Sequence, residues 1–104
     1  MDTRTRNETL RLLSNRLYTL SSSNGRRHGA ATVASVSLVS ATPLLAMAAL
    51  DPHSPLFDCL SESRTADVNI AESSRVLHCL VRHIVRVGPQ AIVILEVVEA
   101  KRAA

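Results

Sequence analysis

Apolar positions in this chain come in short runs, most of them bounded by turn residues. Arg16 to Ser21 reads as a strand, with Leu and Thr alternating around Tyr18. Ser22-Ser23-Asn24-Gly25 follows as a hairpin turn, Asn-Gly being among the strongest signals of one. A second strand runs from about Arg27 to Ala34 and a third from Ser35 to Ser40, and Ala41-Thr42-Pro43 turns the chain. Leu44 to Leu50 is unbroken and apolar, which predicts a strand buried on both faces. Ser54-Pro55 predicts a helix start, Ser capping free amides and Pro at the first helical position. That helix should reach about Glu62 with Leu56, Phe57 and Leu60 inward. Ala66 to Ile70 and Ala91 to Val98 are further strands, the last followed by a charged tail, Glu99 to Arg102. Met1 to Asn7 is polar and expected to fray, and Glu8 to Leu13 reads as a short helix.

One segment fits two periods. In Ser74 to Val87, Leu77, Leu80, Val81, Ile84 and Val85 have helical spacing, with Gly88 as a cap. Alternation also fits, with Leu77, Cys79, Val81, His83, Val85 and Val87 on one strand face and Arg82 and Arg86 on the other. β-branched residues weigh toward strand. Six or seven short strands with two small helices favour a mainly β fold, a small antiparallel barrel, because closure removes edge strands.

With 104 residues, one domain spanning 1–104 is expected. Apolar residues make up 46% and charged residues 20%, which excludes disorder as a description of the chain. Aromatic residues are 2%, only Tyr18 and Phe57, so the core is aliphatic and thin. A homo-oligomer that shares core between copies is the natural remedy.

The net charge is +3, and all twelve basic residues except Lys101 are arginines scattered along the chain. Without a basic run or interleaved aromatics, nucleic-acid binding is not expected. Ala30 to Leu50 is uncharged over 21 residues and follows Arg26-Arg27, so a membrane span or an export signal must be weighed. Five hydroxyl residues and Pro43 inside it favour two buried strands, hence no membrane segment and a cytoplasmic protein. Cys59 and Cys79 allow one bridge but read as two buried free thiols. His78, Cys79 and His83 lie close together without metal-ligand spacing, and no metal is expected.

There is no G-x-S-x-G elbow, P-loop, G-x-G-x-x-G or paired carboxylate with acid–base spacing, and glycine occurs only at 25, 29 and 88. Small hydroxyl residues do cluster, at Thr32, Ser35, Ser37 and Ser40. Such side chains let a flat ligand approach the backbone and can hold phosphate or ribityl oxygens; equally, they could alternate outward on a strand. Ser54 at a helix start, with His53 before it, is a second candidate anion site.

The order of these motifs resembles the flavin reductase-like family. The resemblance is carried by Asn15-Arg16-Leu17-Tyr18-Thr19-Leu20, Asn24-Gly25 and His28-Gly29-Ala30-Ala31-Thr32-Val33-Ala34-Ser35-Val36-Ser37. It continues through Ser40-Ala41-Thr42-Pro43-Leu44-Leu45-Ala46-Met47, the polar loop Asp51 to Ser54, and Asp67-Val68-Asn69-Ile70. Leu77 to Val81 and Val93 to Ala100 look like the late strands, so the likeness spans residues 8 to 100. It implies an FMN-binding split β-barrel that works as a homodimer, transfers hydride from NADH or NADPH to FMN (or FAD), and hands reduced flavin to a flavin-dependent monooxygenase. By matching position, Thr32, Val33, Ala34 and Ser35 would line the ring through the main chain. Ser37 would lie near the ribityl chain or phosphate, His53 and Ser54 in the phosphate loop, and Asn69 matches the strand asparagine.

The chain departs from the family pattern at three places. Pro52-His53 stand where the phosphate loop usually offers Arg or Lys. Gly88-Pro89-Gln90 replaces a Gly-Asp-His pattern, so no donor is available there, and no catalytic residue is assigned. Only six residues separate Ile70 from Leu77, where relatives carry a helix and loops over the flavin. A non-catalytic flavin- or haem-binding dimer, or a shortened remnant that only dimerises, therefore stands beside the reductase reading.

Overall fold

The structure, a computed structural model, describes residues 2–12, 18–33, 36–70 and 74–102. Helix α1 (Thr3–Leu12) leads into strands β1 (Tyr18–Ser23), β2 (His28–Val33), β3 (Val36–Ala41) and β4 (Leu44–Leu50). Helix α2 (Pro55–Ser63) follows, then β5 (Thr65–Ile70), β6 (Arg75–Val87) and β7 (Gln90–Arg102). All seven strands form one antiparallel sheet in the order β2-β1-β5-β6-β7-β4-β3. The fold is a mainly β split barrel with two short helices, as the strand count implied. Among the described residues, no helix is long and apolar enough to cross a membrane.

Alternation builds the inner face. Tyr18 and Leu20 of β1, Ala66, Val68 and Ile70 of β5, and Leu77, Cys79 and Val81 of β6 are buried. Leu44, Ala46, Ala48 and Leu50 of β4 are buried beside Ala91, Val93, Leu95 and Val97 of the neighbouring strand β7. The α2 helix packs on β1 and β2 with Leu56, Cys59 and Leu60 buried; Phe57, expected inward, is only half-buried. It lies so close to β2 that a Cβ on Gly29 would come 2.5 Å from the Leu56 Cα. Glycine is required there because backbone meets backbone.

Local chemistry places each end of α2. The Ser54 Oγ accepts from the Phe57 amide at 3.2 Å, and Arg64 ends the helix in the left-handed region at φ 60°. The Asn24 side chain accepts from the amides of Arg26 and Arg27, closing the β1–β2 turn around Gly25 at φ 90°.

Several expectations need correction. Residues 3–7, expected to fray, are helical, because Asp2 caps α1 by accepting from the Thr5 amide at 2.7 Å. That hydrogen bond holds the Asp2 carboxyl below its ordinary range. The charged tail continues β7 as far as Arg102. The β4 strand is buried on one face only; on the other, Met47 is 40% exposed and Ala49 is open. The ambiguous segment is strand β6, but its register shifts between Val81 and His83. Val85 and Val87 therefore leave the face of Leu77, Cys79 and Val81 and lie exposed.

Candidate functional site

Cross-strand register, rather than sequence proximity, decides which polar residues meet. Outward positions on β1 fall at Thr19, Ser21 and Ser23, and on β5 at Thr65, Asp67 and Asn69. Thr19 lies between Thr32 of β2 and Asn69 of β5. Two of the predicted site residues therefore share one row, with Thr19 joining them. The next row along the same strands is Ala30, Ser21, Asp67, His78 and Glu99. Within it, His78 Nδ1 lies 2.7 Å from Asp67 Oδ1. A carboxylate can only accept, so Nδ1 carries the proton and Nε2 is left to other partners. Asp67 and His78 also line two hollows: a cleft of about 330 Å³ shared with Val76, Glu99, Lys101 and Arg102, and a smaller one of about 150 Å³ bounded by Ser21, Ser22, Ser23, Thr65 and Ala66.

The other half of the outer surface has a different chemistry. Ser37 of β3, the third predicted contact, pairs with Met47, which pairs with Ile94, which pairs with His83. Ala49, Ile92 and Val85 form the next row. The platform is aliphatic, and the charge at its border is the Arg82–Glu96 pair, 2.7 Å apart.

His53 and Ser54 sit in the loop between β4 and α2. The His53 amide donates to Asp51 Oδ1 at 2.9 Å, leaving its ring exposed. Ser54 is occupied structurally: its hydroxyl donates to the Asp51 carbonyl at 2.7 Å while capping α2. Because Val36 pairs with Ala48, β4 leaves the sheet beside the start of β3, so this loop is near the β2–β3 junction. The register thus puts the loop of His53 and Ser54 at the end of the β3–β4 pair where Val36 meets Ala48, and Thr32 and Asn69 on the row through Thr19. Ala34 and Ser35 lie outside the described residues, as do the side chains of Thr32 and Val33.

Thr19, Asp67 and His78 were missed from the sequence. One signal was available: Asp67 and Asn69 are two apart on a strand and so share a face. The partner strands were not legible. Both cysteines are free and buried, and burial pushes the Cys79 thiol up to about 12. Among the described residues, no three His, Cys, Asp or Glu side chains group as metal ligands.

No family model and no curated protein matches the sequence. Solved structures do match. The styrene monooxygenase flavin reductase from Pseudomonas putida S12 aligns over 91% of this chain and 86% of its own, at 14% identity and a TM-score of 0.73. The chain has the flavin reductase fold. The NADH:FAD oxidoreductase SgcE6 of Streptomyces globisporus C-1027 shares the flavin reductase fold over 98% of this chain and 86% of its own, at 16% identity and a TM-score of 0.74. Flavoredoxin from Methanosarcina acetivorans shares it over 85% of this chain and 68% of its own, at 12% identity and a TM-score of 0.75. Identities this low carry the fold and not the chemistry.

Proposed function

We propose that this chain binds a flavin on the outer surface of its barrel and works as an NAD(P)H:flavin oxidoreductase. The observation that carries the reading is the register row Thr32–Thr19–Asn69 beside an aliphatic platform, in a fold shared with an NADH:FAD oxidoreductase. A flavin needs a flat surface for its ring, hydroxyl or amide groups for its ribityl chain, and a positive or dipolar site for phosphate. The donors present fit these needs. The row spans two strand spacings, about 10 Å, the scale of a tricyclic ring. The main chain of Thr32 and Val33, with Ala34 and Ser35 by position, would line that ring, and Asn69 would offer its amide at the far end. Ser37 would meet the ribityl chain. His53 is the ring donor available to phosphate in the loop, with Ser54 beside it, a weaker set than a bidentate arginine.

When bound, a flavin accepts hydride from the nicotinamide and passes two electrons on. The chain's own part is to hold and orient both molecules and to exclude water. The outer platform of Met47, Ile94, Ile92 and Val85 supports a homodimer, since an apolar face of this kind is covered in most stable proteins. FMN is the proposed flavin, with FAD as the alternative; NADH or NADPH is the donor, and a flavin-dependent monooxygenase is the proposed acceptor. The free thiols accord with a reducing cytoplasm.

The test is direct. The purified protein should show flavin absorption bands or saturable FMN quenching, and NADH oxidation with added FMN should exceed the buffer control. A colourless protein indifferent to FMN would overturn the reading. A second reading, a non-catalytic flavin- or haem-binding dimer, is favoured by the β6–β7 tip, where Gly88-Pro89-Gln90 offers no titratable group. Binding without turnover would select it.

A further inference from the structure

We propose that His78, oriented by Asp67, donates the proton that flavin reduction consumes in this chain; the inference rests on the reductase reading above. Hydride transfer alone leaves the reduced flavin anionic, and a proton delivered with it gives the neutral form. NAD(P)H gives up a hydride, which carries two electrons, and becomes NAD(P)⁺. Oxidised flavin takes that hydride together with one proton to become neutral reduced flavin. The donating form is the ring protonated on both nitrogens: the N–H bond at His78 Nε2 breaks, the proton goes to the flavin, the Nδ1–H ring bound to Asp67 remains, and Nε2 regains a proton from water.

Four observations place this role at His78. It is the one histidine among the described residues that is ion-paired with a carboxylate, at 2.7 Å. The pairing holds Nδ1, and among the described residues Nε2 has no hydrogen-bond partner. Asp67 lies two residues from Asn69 on the same outward face of β5, so the pair stands one row from the end of the proposed ring site. Both side chains are 46% exposed, which leaves the ring accessible to water for reprotonation. The charged neighbours suit the task as well. Facing His78 are Asp67 from β5 and Glu99 from β7, the latter 3.6 Å from Lys101, and Lys101 and Arg102 line the same cleft. Arg75, on the same strand, is bound to Glu8 of α1.

His78→Gln and Asp67→Asn test it, with the full-length protein and FMN as the probe. The rate of flavin reduction by NADH is followed from about pH 5 to 9, the range that brackets imidazole titration. In the wild type the rate should fall toward the alkaline end. His78→Gln should lower it at least ten-fold at neutral pH and flatten that limb, in line with general-acid contributions of about 10²–10⁴. Asp67→Asn should fall between the two. Two further readouts separate chemistry from structure: FMN affinity should change less than about two-fold, and added FMN should shift the His78 ring resonances of the isotopically labelled wild type. An alkaline limb that survives in His78→Gln, or ring resonances that ignore FMN, would overturn the proposal while leaving the reductase reading intact. A wild type that binds no FMN would remove both.

Discussion

The barrel presents two outer surfaces built by the same strand pattern and differing in what fills it. On β1, β5 and the first half of β6, outward positions hold Thr19, Ser21, Asp67, Asn69 and His78. On β4, the first half of β7 and the second half of β6, they hold Leu45, Met47, Ala49, Ile92, Ile94 and Val85. The inner face is apolar under both. Folding therefore rests on the shared interior, and the outward positions are free to differ in chemistry, polar on one half and aliphatic on the other.

The comparison predicts that interior changes unfold the protein and outer ones do not. The largest effect should come from Gly29→Val, which forces a Cβ into the backbone of α2 and should cost at least about 3 kcal/mol in urea denaturation. Gly25→Ala, at a positive φ in open space, should cost only about 1 kcal/mol. Leu95→Ala, at a fully buried site, should cost about 2–5 kcal/mol.

A pH dependence sharpens the same contrast. The Cys79 thiol has its ordinary value of 9.0 in the unfolded chain and is pushed to about 12 by burial. Below 9 both states keep the proton and the stability is fully present. As pH rises above 9, the unfolded thiol ionises and the folded one does not, so stability falls progressively toward 12. Urea midpoints at pH 8 and about 10.5 should show this loss, and Cys79→Ala should reduce the slope.

Outer changes should separate by half. Met47→Glu should leave a folded chain and convert a dimer to monomer in sedimentation, since it places charge at the centre of the aliphatic platform. A dimer that survives would show that the platform is not the interface. The smallest stability effect should come from Asn69→Ala, under about 1 kcal/mol, with FMN affinity reduced at least five-fold. Equal FMN affinity in that variant would move the ligand off the polar half.

Much of this architecture was legible in alternation and turn chemistry. Asn24-Gly25, Thr42-Pro43 and Ser54-Pro55 all sit at element boundaries. The first helix was partly hidden because Thr3 to Asn7 carries no apolar residue to mark a face; its cap, Asp2, was the available sign. Leu44 to Leu50 departs from the expectation for a physical reason: an apolar face left exposed reads the same in sequence as a buried one. The site was less legible still. Thr32, Thr19 and Asn69 meet only through strand order, and the Asp67–His78 contact joins residues whose pairing no local pattern reveals.

The irregularity in β6 has a consequence for how this protein could change. One additional residue between Val81 and His83 reverses the parity of everything downstream to the hairpin tip. Its valines thereby become surface instead of interior. Deleting that residue would remove the bulge while leaving Val85 opposite Ile92 and Val87 opposite Gln90, still on the outer side. Length variation inside a strand is ordinarily ruinous. At this point the bulge absorbs it, so a residue gained or lost there leaves both the exposed valines and the seven-stranded frame in place.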